Sequence, residues 1–107
     1  MSQTSFALFA EQTLDDIQNR LSDQDGLDDV DIDMIDGVMT LEFEDGAQII
    51  LNRQEAAQQI WLSSPEGPAH FGYSEQEGAW IDDRNGEDLH QVLVRILAGK
   101  LGVRIEL

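Results

Sequence analysis

The sequence contains no cysteine, two prolines, only six lysine and arginine residues, and no long hydrophobic run. Without cysteine, disulfides, thiolate metal ligands and a cysteine nucleophile are excluded. No apolar stretch approaches the roughly 20 residues that cross a bilayer as a helix. The start of the chain has neither the basic residues nor the apolar core of a secretory or mitochondrial leader. We therefore expect a cytoplasmic protein of bacterial type.

The few basic residues stand against 22 aspartates and glutamates, which gives a net charge of −16. Phosphate groups and anionic lipids repel such a chain, so we expect neither nucleic acid nor a membrane as a partner. Thirteen of the acids lie in residues 1–45, beside the single base Arg20. This asymmetry is typical of an interaction surface, although a solubilising face is the simpler explanation at this point.

Apolar residues recur at helical spacing near both ends of the chain. Residues 4–22 predict an amphipathic helix, with Thr4 as its N-cap. A second helical stripe starts after Gly86, and we expect it to end at Gly99 or Gly102 because glycine favours helix C-termini. Both helices need an apolar surface to cover their buried stripes.

Between the helices the apolar period changes to two, which indicates half-buried strands. The Asp-Gly pairs at 36–37 and 45–46 are typical hairpin turns. We expect strands over residues 29–34, 38–44, 48–52, 59–63, 69–73 and 79–82. The last residues, 103–107, alternate apolar and polar side chains and are expected to pack back onto the domain.

The order helix, antiparallel strands, helix predicts an α+β fold. We expect a single domain over residues 1–107, built as a two-layer αβ-sandwich. Both helices would pack on one face of an antiparallel sheet of about six strands. The opposite face of the sheet is then left for solvent or for a partner.

Trp61 is the most informative residue of that open face. Ile60 and Leu62 share the buried side of their strand, so Trp61 shares its side with Gln59 and Ser63. An exposed tryptophan on a flat sheet is a candidate anchor for a protein partner. A neighbouring strand or loop that covers the ring explains the same pattern equally well.

The sequence shows no motif of an enzyme active site. Phosphate-binding loops, Gly-x-Ser-x-Gly elbows and His-Glu-x-x-His pairs are absent, and His70 and His90 have no evident ligand partner. We predict a non-enzymatic protein without catalytic residues. The carboxylates of Asp29, Asp31 and Asp33 project from one strand face, and such oxygen ligands favour hard cations, with weak affinity. The same surface would attract a basic protein.

Several motifs make the sequence similar to the frataxin family, in its bacterial CyaY type. The motifs follow one another along essentially the whole chain: GVMTL at 37–41, NRQ at 52–54, QIWLSSP at 59–65, GP at 67–68 with Phe71, and Trp80. The resemblance implies an αβ-sandwich and a role in iron-sulfur cluster assembly. It also implies weak binding of Fe²⁺ or Fe³⁺ on surface carboxylates, with other divalent or trivalent cations as further ligands.

The resemblance also implies which residues form the sites. The family's acidic ridge carries over to Asp23, Asp25, Asp29, Asp31 and Asp33, and Glu11, Asp15, Asp16 and Asp28 are local candidates for the same surface. We call these nine residues the acidic ridge. Gln18, Asn19 and Ser22 stand where bacterial relatives often carry acids. The family's docking surface on the sheet carries over to Asn52, Gln54 and Trp61.

Two functions remain open at this stage. The first is a regulator or adaptor that docks on the cysteine desulfurase of the assembly machinery, with the iron-sulfur scaffold protein as a second partner. The second is an iron carrier or store that delivers ferrous iron to that scaffold. We expect a monomer, with metal-driven oligomers as a family property. Desulfurase docking in the absence of iron separates the two functions.

Overall fold

The computed structural model describes residues 2–107. Helix α1 (Gln3–Ser22) comes first, six strands follow, and helix α2 (Leu89–Leu101) comes last. The strands are β1 (Asp31–Ile35), β2 (Val38–Glu42), β3 (Gln48–Gln54), β4 (Gln59–Ser64), β5 (Gly67–Ser74) and β6 (Ala79–Asp82). The predicted α+β fold with six antiparallel strands is confirmed. Within residues 2–107, no helix combines the length and apolarity needed to cross a membrane.

The sheet is a meander, because its strand order β1-β2-β3-β4-β5-β6 repeats the chain order. Every neighbouring pair is antiparallel. One sheet face and the two helices bury a single apolar core. Its members include Phe6, Leu14 and Ile17 from α1, Leu41, Leu51, Ile60 and Phe71 from the sheet, and Leu93 and Leu97 from α2.

The N-cap of α1 differs from the expectation, whereas the end of α2 is one of the two predicted positions. Ser2, rather than Thr4, is the N-cap of α1, and its hydroxyl accepts a hydrogen bond from the Ser5 N–H at 3.1 Å. Both hydroxyl residues suit a cap, but the helix already includes Thr4. At the other end of the chain, α2 ends at Leu101 and Gly102 is its C-cap, with a left-handed φ of 68°. Gly99 is a helical residue.

Five of the six strands also have bounds that differ by one or two residues from the predicted ones, and β1 and β5 differ at both ends. Residues 28–29 form a turn, closed by the Val30 N–H that donates to the Leu27 carbonyl, so β1 starts at Asp31 and continues to Ile35. Strand β5 starts at Gly67, two residues before the predicted start. Pro68 occupies the second position of β5, close to the strand start, where proline is tolerated.

An arginine on the inner face of β3 connects the sheet to α1. The Arg53 Nη1 lies 2.9 Å from Oε1 of Glu11, and its Nε lies 3.4 Å from Oε1 of Glu55. The guanidinium passes over Gly37 in the β1–β2 turn, where an added Cβ would stand 3.2 Å from the Arg53 Nε. The Arg53 guanidinium thus holds Glu11 of α1 close to the β1–β2 hairpin.

The C-terminal residues pack back onto the domain, as predicted. Ile105 is buried in the core. The Gln24 side chain donates to the Glu106 carbonyl at 2.6 Å and accepts from the Glu106 N–H at 3.2 Å. Because Gln24 lies in the connection between α1 and β1, the end of the chain is attached to the segment that carries four of the nine ridge acids.

Candidate functional site

The acidic ridge is exposed along its full length, since all nine of its residues are solvent-exposed. Three members lie on α1, four in the connection to β1, and two on β1. A small cavity of about 70 Å³ between Glu11, Asp15 and Met34 shows that two of the α1 acids face the β1–β2 hairpin. A larger cavity of about 340 Å³ is lined by Asp29, in the connection to β1, and by Asp45, between β2 and β3. The structure therefore arranges the ridge around one edge of the sheet.

The ridge is an open array rather than a preformed metal centre. Across residues 2–107, no group of three carboxylate or imidazole side chains converges on one point where a metal ion would be held. Two ridge members have basic partners: Glu11 pairs with Arg53 at 2.9 Å, and Asp16 pairs with Arg20 at 3.0 Å. A cation must compete with these bases, so the seven remaining acids are the better candidate ligands.

The basic residues are mostly engaged in ion pairs of their own. Arg20, Arg53, Arg95, Lys100 and Arg104 all have acidic partners, which is five of the six bases. The hydrogen bond from the Lys100 ammonium, together with the Ala47 N–H, holds the pKa of Asp45 below its ordinary value. Hydrogen bonds to Glu87 and Glu66 raise the pKa of Arg95. Within residues 2–107, the seven other ridge acids have no ion-pair partner.

The open sheet face carries a row of directly opposed residues. Ile35 pairs with Val38, Val38 with Asn52, Asn52 with Trp61, and Trp61 with His70. The row crosses five strands and combines two exposed aliphatic side chains, at 61% and 37% exposure, with an amide and two rings. We call Ile35, Val38, Asn52, Trp61 and His70 the central row.

The structure brings two of the three predicted docking residues into contact range. Asn52 and Trp61 are direct cross-strand partners, and Gln54 lies one step along the same face, opposite Gln59. Ile35 was not predicted as a site residue because the predicted strand ends at Met34. The alternation itself was the available signal, since Ile35 continues the side that Asp31 and Asp33 occupy.

The Trp61 ring is half-buried and is held by two contacts. It stacks on the His70 ring with centroids 4.4 Å apart and an interplanar angle of 21°. Its Nε1 donates to Oε1 of Gln59 at 2.9 Å, and the Gln59 Nε2 donates to Oδ2 of Asp83 at 3.0 Å. Trp61 thus lies on the open face, as the alternation predicts, with one of its own faces covered by a neighbouring strand.

Comparison with known proteins gives consistent relationships over the whole chain. A family profile described as "Frataxin-like domain" matches residues 1–103. The chain is 57% identical over 107 residues, the full length of both proteins, to the iron-sulfur cluster assembly protein CyaY of Thioalkalivibrio sulfidiphilus. It is 38% identical over 97 residues to the protein of the same name from Azotobacter vinelandii, which covers 89% of this chain and 88% of that one.

Solved structures share the fold. A frataxin from Psychromonas ingrahamii superimposes with a TM-score of 0.87 at 30% identity, over 99% of this chain and 97% of that one. A trimeric frataxin from Saccharomyces cerevisiae, complexed with ferrous iron, superimposes with a TM-score of 0.76 at 31% identity. That match covers 88% of this chain and 86% of the yeast chain.

Proposed function

This chain belongs to the frataxin family, and on that premise we propose that it is an iron-binding regulator and adaptor of iron-sulfur cluster assembly. In this proposal it catalyses no reaction itself. It docks on a cysteine desulfurase in the bacterial cytoplasm, through the acidic ridge and the open sheet face together. The names of its relatives from Thioalkalivibrio sulfidiphilus and Azotobacter vinelandii support the assembly role.

One observation carries the docking proposal: acids and the tryptophan share a single surface. Asp31 and Asp33 alternate with the inward-facing Ile32 and Met34, so their carboxylates lie on the same sheet face as Trp61. Strands β1 and β4 are three spacings apart, or about 14 Å. One partner surface of ordinary size, about 800 Å² per side, covers both features. A basic partner is attracted by the acids and anchored by the ring.

Iron enters this proposal as a weakly held ligand of the acidic ridge. Exposed carboxylates are hard oxygen ligands, and ferrous and ferric ions accept them together with water. The yeast frataxin complexed with ferrous iron supports this part of the proposal. An open array binds without selective geometry, so we expect weak affinity and competition from other divalent and trivalent cations. We propose a monomer when metal is absent.

The test is a calorimetric titration of the protein into the cysteine desulfurase of its own organism, at low and high salt, with and without ferrous iron. We expect saturable binding without metal that weakens as salt rises. Trp61→Ala should weaken the complex by about 30-fold, as an anchor residue does, while its iron binding stays unchanged. Normal desulfurase binding by Trp61→Ala would show that the open sheet face is not the docking surface.

The contribution of the ridge needs a charge-matched control. Asp31→Asn with Asp33→Asn removes two charges beside the central row, whereas Glu75→Gln with Glu77→Gln removes two exposed charges from the β5–β6 turn. We expect the first pair to slow association and flatten the salt dependence, and the second pair to change neither. Equal effects of the two pairs would indicate nonspecific attraction by net charge.

The second candidate is an iron carrier or store that delivers ferrous iron to the assembly scaffold. The seven ridge acids that have no ion-pair partner within residues 2–107 favour the carrier function, because they are available to a cation. The two functions separate in a transfer assay with ferrous protein and purified scaffold, with the desulfurase left out. Iron transfer that Asp31→Asn with Asp33→Asn abolishes, combined with no desulfurase binding, would establish the carrier.

A further inference from the structure

The indole N–H of Trp61 is already used inside the protein. Gln59, two residues earlier in β4, accepts it at 2.9 Å, and the same amide donates to the Asp83 carboxylate at 3.0 Å. Asp83 follows β6 directly, and its own N–H donates to the His70 carbonyl at 3.0 Å. A chain of hydrogen bonds therefore runs from the ring to a backbone anchor two strands away.

These hydrogen bonds, together with the His70 ring against one face of the indole, select a single orientation for Trp61. Gln59 and Asp83 both act on the same ring without themselves belonging to the central row. A side chain that is ordered before a partner arrives loses little rotamer entropy on binding, which strengthens the complex. An N–H that is satisfied internally is also not offered to a partner, because a new hydrogen bond would cost the existing one.

We propose that Gln59 and Asp83 are positioning residues for Trp61, so that the partner meets the ring by its apolar edge and its uncovered face. The partner then needs no hydrogen-bond acceptor opposite the indole. This inference rests on the proposed docking function. It adds to that function the two residues that prepare the anchor, and it defines the chemistry of the partner's contact as apolar or cationic rather than hydrogen-bond accepting.

The order of the ring is measured by nuclear magnetic resonance on ¹⁵N-labelled protein. The chain has two tryptophans, and Trp61→Phe assigns their two indole N–H signals. Gln59→Met keeps the length of the side chain but removes both hydrogen bonds. We expect indole N–H exchange with water to accelerate at least tenfold in Gln59→Met. The matched control is Gln48→Met, which removes a similar bond, from Gln48 to Glu42 at 3.2 Å, on the same sheet face.

Two substitutions of Asp83, one conservative and one not, test its contribution. Asp83→Asn keeps a carbonyl acceptor for Gln59, whereas Asp83→Ala removes it. We expect the indole N–H of Trp61 to exchange at the wild-type rate in Asp83→Asn. In Asp83→Ala its exchange should accelerate toward the rate in Gln59→Met. Loss of order in the Asn variant to the same degree as in the Ala variant would overturn the assignment of Asp83, because the hydrogen bond would then not be its contribution.

The consequence for docking is measured with the same purified cysteine desulfurase. We expect Gln59→Met to weaken its binding by about three- to tenfold, the cost of ordering one side chain, and Gln48→Met to leave it unchanged. An indole that stays ordered in Gln59→Met, or unchanged binding despite a disordered indole, overturns the inference. If the wild type itself does not bind the desulfurase, the proposed function fails, and the positioning of Trp61 is judged by the exchange data alone.

Discussion

The contact between Arg53 and Glu11 joins the sheet to α1, and its loss has a defined cost. The substitution Arg53→Met keeps most of the aliphatic stem and removes the guanidinium. That group lies 2.9 Å from Glu11 and 3.4 Å from Glu55, and its side chain is 23% exposed while that of Glu11 is 50% exposed. The pair is therefore partly shielded from water on one side only.

The magnitude follows from this half-burial. A hydrogen bond to a charged group contributes about 1.5–3 kcal/mol when it is buried, and an exposed ion pair about 0.2–1 kcal/mol. Solvent at Glu11 moves the pair toward the lower range, and the longer contact to Glu55 adds little. We expect Arg53→Met to lower the free energy of unfolding by about 1–1.5 kcal/mol. For a domain of this size the Tm falls by about 5–10 °C.

Urea unfolding of a double-mutant cycle isolates the pair. The cycle uses Arg53→Met, Glu11→Gln and the combination, and we expect a coupling free energy of about 0.5–1 kcal/mol. Arg20 and Asp16 give the matched control, because they form an exposed pair within α1 at 3.0 Å. Their coupling should stay at or below about 0.5 kcal/mol. A coupling near zero for Arg53 and Glu11, or one no larger than the control's, would refute a stabilising contribution of this contact.

Three further predictions concern stability, and urea or thermal unfolding checks each of them. Gly37→Ala should destabilise by about 1–2 kcal/mol because φ is 77° there, whereas Gly99→Ala, in open space on α2, should stabilise by up to about 1 kcal/mol; equal signs would contradict this. Trp80→Phe loses the indole hydrogen bond to α1 and leaves a cavity, so we expect a loss of about 2–3 kcal/mol, and an unchanged urea midpoint would disprove the bond's importance. The pKa of Asp45 is lower in the folded protein, so its pair with Lys100 stabilises the fold at pH values above the ordinary pKa of 3.8. This stabilisation is lost as the pH falls through the folded pKa. The difference in unfolding free energy between wild type and Asp45→Asn should therefore disappear below the folded pKa.

The sequence predicted the layers and strands because those depend on periodicity, which is local. The exact ends were harder to predict. Ser2 and Thr4 are both good caps, and Gly67 and Pro68 resemble a turn although they open β5. In such cases neighbouring residues offer two solutions of similar free energy, and tertiary packing selects one of them.

The candidate site also has features that the sequence predicts and features that depend on tertiary packing. Alternation along β4 was enough to place Trp61 on the open face. Its supporting chain was not predictable, because Gln59 and Asp83 are 24 residues apart and meet only through the register of three strands. The ridge acids were recognisable by type, but their lack of convergence depends on the relative position of α1 and β1.

The meander has a consequence for how the chain folds. Each strand pairs with the next one along the chain, so every pairing closes a short loop and costs little chain entropy. The contact from Gln24 to Glu106 spans 82 residues, so its closure costs more chain entropy than the pairing of neighbouring strands. We expect this closure to form late and to open first, as a local unfolding event detectable by hydrogen exchange. Release of the chain end would then loosen the acid-rich connection while the sheet stays intact.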